Sequence, residues 1–224
     1  MHNIRLPFPR SGLYVITREA YRNEQALAEA VAAAIRGGAA VVQYRAKASR
    51  DPLREAARLL AVCRDGGVPL IINDDVELAR RVGADGVHVG KDDLSLTEAR
   101  DVLGPNAIIG VSCYDSVDLA VRAEAGGASY VAFGRFFPSK TKPDVPCAHL
   151  ETLSLAKRQL SIPIAAIGGI TAENGGQLVH AGADLLAVIE SVFGVGDPCL
   201  AASEFAPLFE HVGRSERPVS PPAL

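Results

Sequence analysis

One feature constrains this chain more than any other: two kinds of segment alternate along its whole length. Short runs rich in β-branched and aromatic residues take turns with amphipathic stretches rich in Ala, Leu, Arg and Glu. The strand-like runs are GLYVIT (12–17), AVVQYRAK (40–47), PLIIND (69–74), GVHVG (86–90), AIIGVSC (107–113), SYVAFGRF (129–136), PIAAIGG (163–169) and LLAVIES (185–191). They are nearly continuous apolar runs, which suits parallel strands buried on both faces. The helical stretch from Asn23 opens on a capping residue and closes on glycines. The one from Pro52 has Asp51 as its cap and proline in its first turn. The last helical stretch is PCLAASEFAPLFEHVG. Eight strand–helix units in 224 residues predict an α/β chain folded as a single closed (β/α)8 TIM barrel. The competing arrangement is a doubly wound open sheet.

An internal repeat favours the barrel. GGAAVVQ, GADGVHV, GGASYVA and GADLLAV precede the second, fourth, sixth and eighth strands. A unit recurring at every second strand closes naturally on itself. The expected organisation is an N-terminal extension over 1–11, a catalytic barrel over 12–213 and a flexible C-terminal tail, RSERPVSPPAL, over 214–224. The first ten or so residues look loose, as does the tail.

Composition narrows the function classes. Hydrophobic residues make up 48% of the chain and charged residues 22%, which excludes global disorder. The net charge of −3 offers no broad basic field, so no nucleic acid partner is expected. No apolar run reaches the ~20 residues of a membrane span, and the start MHNIRLPFPRSG lacks a signal-peptide core. A cytoplasmic protein is expected, with homo-oligomerisation left open. The four cysteines form no CxxC pair and read as reduced, mostly buried thiols.

In such a barrel the chemistry lies at the C-terminal ends of the strands. Gln43, Arg45 and Lys47 alternate with Tyr44 and Ala46, so they share one strand face. Two cations on an inward face call for an anionic ligand; the alternative is a solvated strand end with snorkelling side chains. The third and fourth strands end in Asn73-Asp74-Asp75 and Lys91-Asp92-Asp93. Carboxylates from neighbouring strands at one rim, completed by water and phosphate, suit Mg2+. Asp74 and Asp93 are the metal candidates, while Asp75 and Asp92 read as caps or solvated groups. Ser112 either donates to a ligand or caps a helix; no histidine has an evident base role beside it, so no serine nucleophile is expected. The loop carrying Ser139, Lys140, Thr141 and Lys142 has the donors a phosphate needs, or is a mobile surface loop. The turn Gly168-Gly169 before a helix suits close approach of a phosphate. His88 reads as a packed or hydrogen-bonded core histidine. Two anionic sites flanking one pocket point to transfer between two small phosphorylated molecules.

On GLYVIT, VQYRAK, IINDDVELA, GADGVHVGKDDL, IIGVSC, GASYVAFGRFFPSKTKP, IPIAAIGGIT and GADLLAVIESVFG, in that order, the chain resembles the thiamine-phosphate synthase (thiamine-phosphate pyrophosphorylase) family from Gly12 to Gly194. The resemblance implies a Mg2+-dependent transferase on a (β/α)8 barrel. Such an enzyme joins the hydroxymethylpyrimidine of 4-amino-2-methyl-5-(diphosphooxymethyl)pyrimidine to 4-methyl-5-(2-phosphoethyl)thiazole or its carboxylated form, giving thiamine phosphate and diphosphate, with CO2 also lost from the carboxylated form. By the same resemblance, Gln43, Tyr44, Arg45, Ala46, Lys47, Asn73, Ser112 and Lys142 hold the pyrimidine diphosphate. Arg45, Lys47, Ser112 and Lys142 form its catalytic set. Ser139, Lys140, Thr141, Gly169 and the backbone at Ile189 and Glu190 hold the thiazole phosphate, and Asp74 and Asp93 bind Mg2+. The chain departs from many relatives at Ala46, where they have Asp, at Lys91, where they have Gln, and at Glu190, where Ser is frequent.

Overall fold

The computed structural model describes residues 5–19, 21–45, 47–91, 93–138 and 147–210. Eight parallel strands close into one barrel in sequence order: β1 (Gly12–Ile16), β2 (Ala39–Tyr44), β3 (Leu70–Asn73), β4 (Gly86–Val89), β5 (Ile108–Tyr114), β6 (Tyr130–Gly134), β7 (Ile164–Ile167) and β8 (Leu185–Val188). Between them lie α1 (Glu24–Arg36), α2 (Pro52–Asp65), α3 (Val76–Val82), α4 (Leu96–Leu103), α5 (Val117–Ala125), α6 (Leu150–Gln159) and α7 (Ala172–Ala181). Beyond β8 come the single turn α8 (Glu190–Phe193), then α9 (Pro198–Ser203) and a 3-10 turn over Ala206–Phe209. The predicted barrel is observed, and the open sheet is excluded because β1 pairs with β8 as well as β2. Among the described residues, no helix is long and apolar enough to cross a membrane.

Local chemistry explains most element ends. The Asn23 side chain accepts from Ala26 N, Asp51 from Arg54 N and Asp75 from Leu78 N, each quenching a donor of a first helical turn. Two expectations need correction. The last helical stretch is broken after Ser203, because Pro207 has no N–H to give and its ring obstructs the preceding turn. The eighth strand stops at Val188, and Glu190–Phe193 winds into a helical turn instead of continuing it.

Strand alternation divides the apolar side chains into two bodies. Leu13, Val15, Val42, Leu70, Ile72, Val87, Ile109, Phe133, Leu186 and their neighbours face outward and pack under the helices. Tyr14, Ile16, Val41, Ile71, Ile108, Tyr130, Ala132, Ala165, Leu185 and Ala187 fill the barrel itself. The smaller residues at Ala132, Ala165 and Ala187 leave room above the filled layers. The N-terminal end of the barrel is plugged. Phe8 stacks on Tyr130 with ring centroids 4.1 Å apart and planes 6° from parallel, and Leu6 N donates to buried Asp85 at 2.7 Å. Residues 5–10, expected to be loose, are therefore docked.

The repeat has a polar function as well. Asp85 accepts from Leu70 N at 2.9 Å, Ser129 from Ile109 N at 3.0 Å, and Asp184 from Ile164 N at 2.9 Å. Each side chain follows the repeated Gly-Gly-Ala or Gly-Ala and satisfies the neighbouring strand, where the ladder begins. Arg64 and Lys157, from the helices packed alongside, pair with the two aspartates.

Candidate active site

At the C-terminal end of the barrel opens a cavity of about 590 Å³, within the size range of small-molecule sites. Gln43, Arg45, Lys47, Asn73, Asp74, Asp93, Ser112 and Gly169, all at strand ends, line it, and so do Ile189 and Glu190, which the family resemblance pointed to. Tyr44 does not. It follows Gln43 on the opposite face of β2, is buried among the outward-facing residues, and hydrogen-bonds Glu55 of α2. A direct substrate contact by its side chain is thereby corrected: alternation along the strand turns it away. Ala46, Ser139, Lys140, Thr141 and Lys142 lie outside the described residues.

The floor of the cavity is a chain of hydrogen bonds crossing five strands. Gln43 Nε2 donates to Tyr14 OH at 2.7 Å, and the Tyr14 and Tyr130 hydroxyls meet at 2.7 Å. Tyr130 OH lies 2.9 Å from His88 Nδ1, and His88 Nε2 lies 2.9 Å from Ser112 Oγ. Gln43 enters this chain as a donor, and one polarity then satisfies every later member. In it Tyr14 donates to Tyr130, Tyr130 to Nδ1, and the Nε2–H of His88 to Ser112. Burial holds both phenols above their ordinary pKa. They stay neutral and orient rather than exchange charge.

The register explains how β4 and β6 communicate across β5. Gly110 pairs with His88 on one side and Tyr130 on the other. A Cβ at Gly110 would come within 2.1 Å of the Tyr130 ring, so only glycine lets that ring reach across to the imidazole. This register sets His88 beside Ser112, a neighbour that the strand-end reading of Ser112 did not include. A Ser–His contact alone does not make a nucleophile, however. The far nitrogen of His88 meets a phenol here, whereas hydrolytic triads orient that nitrogen with a carboxylate. Cys113, next along the strand, points outward, and burial pushes its thiol up to about 12.

Cations and carboxylates ring the rim. Arg45 pairs with Glu19 of the β1–α1 loop at 3.0 Å. Asp74 closes β3 in the left-handed region, with φ 63°, a conformation aspartate tolerates better than most residues, and its N–H donates to His88 O at 2.8 Å. Asp93 accepts from Gly90 N through Oδ2 at 2.7 Å, which leaves Oδ1 for another partner. Among the described residues no group of three or more His, Cys, Asp or Glu could hold a metal. Two carboxylates on adjacent strands nevertheless fit a cation that takes its remaining oxygens from water and phosphate, which is the habit of Mg2+.

Across the mouth, Gly168 and Gly169 turn with φ 107° and 64°. A Cβ on Gly169 would lie 2.4 Å from Pro138 O, and one on Gly168 2.2 Å from Arg135 Cβ. The glycines thus admit the loop after β6, a packing reason the phosphate reading did not include. Asn174 and Thr171 cap α7 reciprocally. Ser191 hydrogen-bonds Ile170 O and ties α8 to this turn.

Residues 13–192 match the family model described as thiamine monophosphate synthase. The chain belongs to the thiamine monophosphate synthase family. A thiamine-phosphate synthase of Methylococcus capsulatus (strain Bath) is 54% identical over 219 residues, 97% of each chain. One from Thiobacillus denitrificans is 51% identical over 204 residues, covering 90% of this chain and 96% of its own. A solved thiamine phosphate pyrophosphorylase from Pyrococcus furiosus superposes with a TM-score of 0.81 at 34% identity, covering 91% of this chain and 97% of its own. Against this synthase background the tyrosine floor is the part of the site that sequence reasoning missed. Tyr14 and Tyr130 sit in apolar runs and read as core; the signal was their inward parity with Gln43 and Ser112.

Proposed function

We propose that this protein is a thiamine-phosphate synthase, a transferase that joins a pyrimidine diphosphate to a thiazole phosphate and releases diphosphate. Its membership of the family over nearly its whole length supports the reaction. The single observation that carries the site assignment is the convergence of Arg45, Lys47, Asp74, Asp93 and Ser112 on one cavity with a polar floor. We read it as a cytoplasmic enzyme of small phosphorylated metabolites.

In this reading the C–O bond to the diphosphate breaks, and the electron pair leaves with the diphosphate. The thiazole nitrogen supplies the pair for the new C–N bond to the exocyclic carbon, whose positive charge the aminopyrimidine spreads. Mg2+, held by Asp74 and Asp93, would add charge to the departing diphosphate. Arg45 and Lys47 offset the same charge as it develops. Gln43, Asn73 and Ser112 orient the pyrimidine over the tyrosine floor, where apolar walls keep competing water from the carbon. Gly169 and the backbone at Ile189 and Glu190 receive the thiazole phosphate, joined by Ser139, Lys140 and Thr141, while Lys142 joins the diphosphate side. No protein nucleophile takes part, and catalysis is by positioning and electrostatics.

The deciding assay mixes the purified protein with both substrates, with Mg2+ or with EDTA, and detects thiamine phosphate as its fluorescent oxidation product. Metal-dependent product is expected. Absence of product with intact substrates would remove the synthase reading.

A further inference from the structure

Glu190 puts a carboxylate at the very place where this reading seats the thiazole phosphate. It lines the cavity beside Gly168, Gly169 and Ile189, and its side chain is 56% exposed. A free carboxylate there would repel the incoming dianion. The structure shows where the carboxylate goes instead. It lies back along α8, so that a Cβ on Gly194 would come within 2.5 Å of Glu190 Oε2. Arg18, from the β1–α1 loop, places Nη1 3.8 Å from that oxygen and donates from the same nitrogen to Phe193 O at 3.0 Å. Tyr21 of the same loop packs edge-on against Phe193 with ring centroids 6.2 Å apart, which anchors the loop to the turn.

We infer that Arg18 is a positioning residue that holds the Glu190 carboxylate off the phosphate seat. Its guanidinium is anchored on Phe193 O, the last carbonyl of α8, and draws the carboxylate down the side of the helix. Phosphate then meets the backbone at Ile189 and Glu190 with the Glu190 carboxylate turned aside. The glycine at 194 keeps open the space into which the carboxylate folds. This inference rests on the proposed thiazole-phosphate site.

The test measures binding of the thiazole phosphate by calorimetry alongside turnover. Arg18→Ala is expected to raise its Kd about three- to fivefold, the scale of one exposed ion pair, with the KM for the pyrimidine diphosphate and kcat little changed. Arg18→Ala combined with Glu190→Gln is expected to recover most of the lost affinity, since the released side chain is then neutral. Unchanged affinity in Arg18→Ala would overturn the inference. So would a loss that the double variant does not repair, because Arg18 would then be contacting phosphate itself. Arg18→Lys, which keeps the cation, is expected to stay near wild type; full loss there would equally count against a role through charge. Wild-type protein that binds the thiazole phosphate without forming product would sink the synthase reading and leave the binding comparison to decide this one. Wild-type protein that neither binds nor turns over would sink both.

Discussion

At the residue scale, what matters is which atoms each side chain holds in place. Tyr130 bridges Tyr14 and His88 inside the barrel. Tyr130→Phe leaves two buried polar groups short of a partner, a cost of about 1–3 kcal/mol. It also interrupts the hydrogen-bond chain that ends on Ser112. The expected result is a lower Tm together with a higher KM for the pyrimidine diphosphate; a change in Tm alone would reduce the chain to scaffolding. Arg45→Ala is expected to weaken pyrimidine diphosphate binding about 10- to 100-fold, the range for hydrogen bonds to a charged partner, and thiazole phosphate binding far less. Equal losses would mean that the two subsites are misassigned. Asp93→Asn is expected to raise the Mg2+ needed for half-maximal activity by about tenfold or more. An unchanged Mg2+ titration would remove Asp93 from the metal site. Strand-end spacing made Gln43, Arg45, Asp74 and Asp93 visible in the sequence. It could not show Glu19 on Arg45 or Arg18 beside Glu190, because those contacts join residues far apart along the chain.

At the scale of elements, caps and glycines set the geometry. Every strand-like run in the sequence became a strand, since each had to be apolar on both faces to lie between barrel interior and helices. Ends were less legible. β8 and the last helix stop short of their apolar patterns, one where α8 begins and the other ahead of Pro207. Gly110 is fixed by a ring rather than by a turn. Gly110→Ala is expected to cost about 1–3 kcal/mol, the scale of overpacking, and to displace Tyr130. Thermal melts and the KM for pyrimidine diphosphate should shift together, and a neutral Gly110→Ala would contradict the contact.

For the whole molecule, burial of titratable groups sets the response to alkali. Cys63 and Cys113 are pushed up from 9.0 to about 12, and Tyr21 from 10.0 to about 12, chiefly by desolvation. The folded chain holds these protons more tightly than the unfolded one. The stability they contribute is therefore complete below about pH 9 and is lost as pH rises toward 12. A Tm that stays flat across that window would contradict the buried placement of these groups. Docking of residues 5–10 also belongs to this scale: removing residues 1–10 strips Phe8 from Tyr130 and Leu6 from Asp85, and a Tm lower by several degrees is expected.

The Phe8 plug has a further consequence, in the traffic of molecules. With the N-terminal end stoppered and the interior filled by side chains, the proposed reaction passes its two reactants and two products through the opposite end. Whatever rests on the tyrosine floor must enter before its partner covers it, and it must wait for the partner's half of the cavity to clear before leaving. Ordered loading and unloading is the kinetic pattern this shape predicts, and random-order initial-rate kinetics would contradict it.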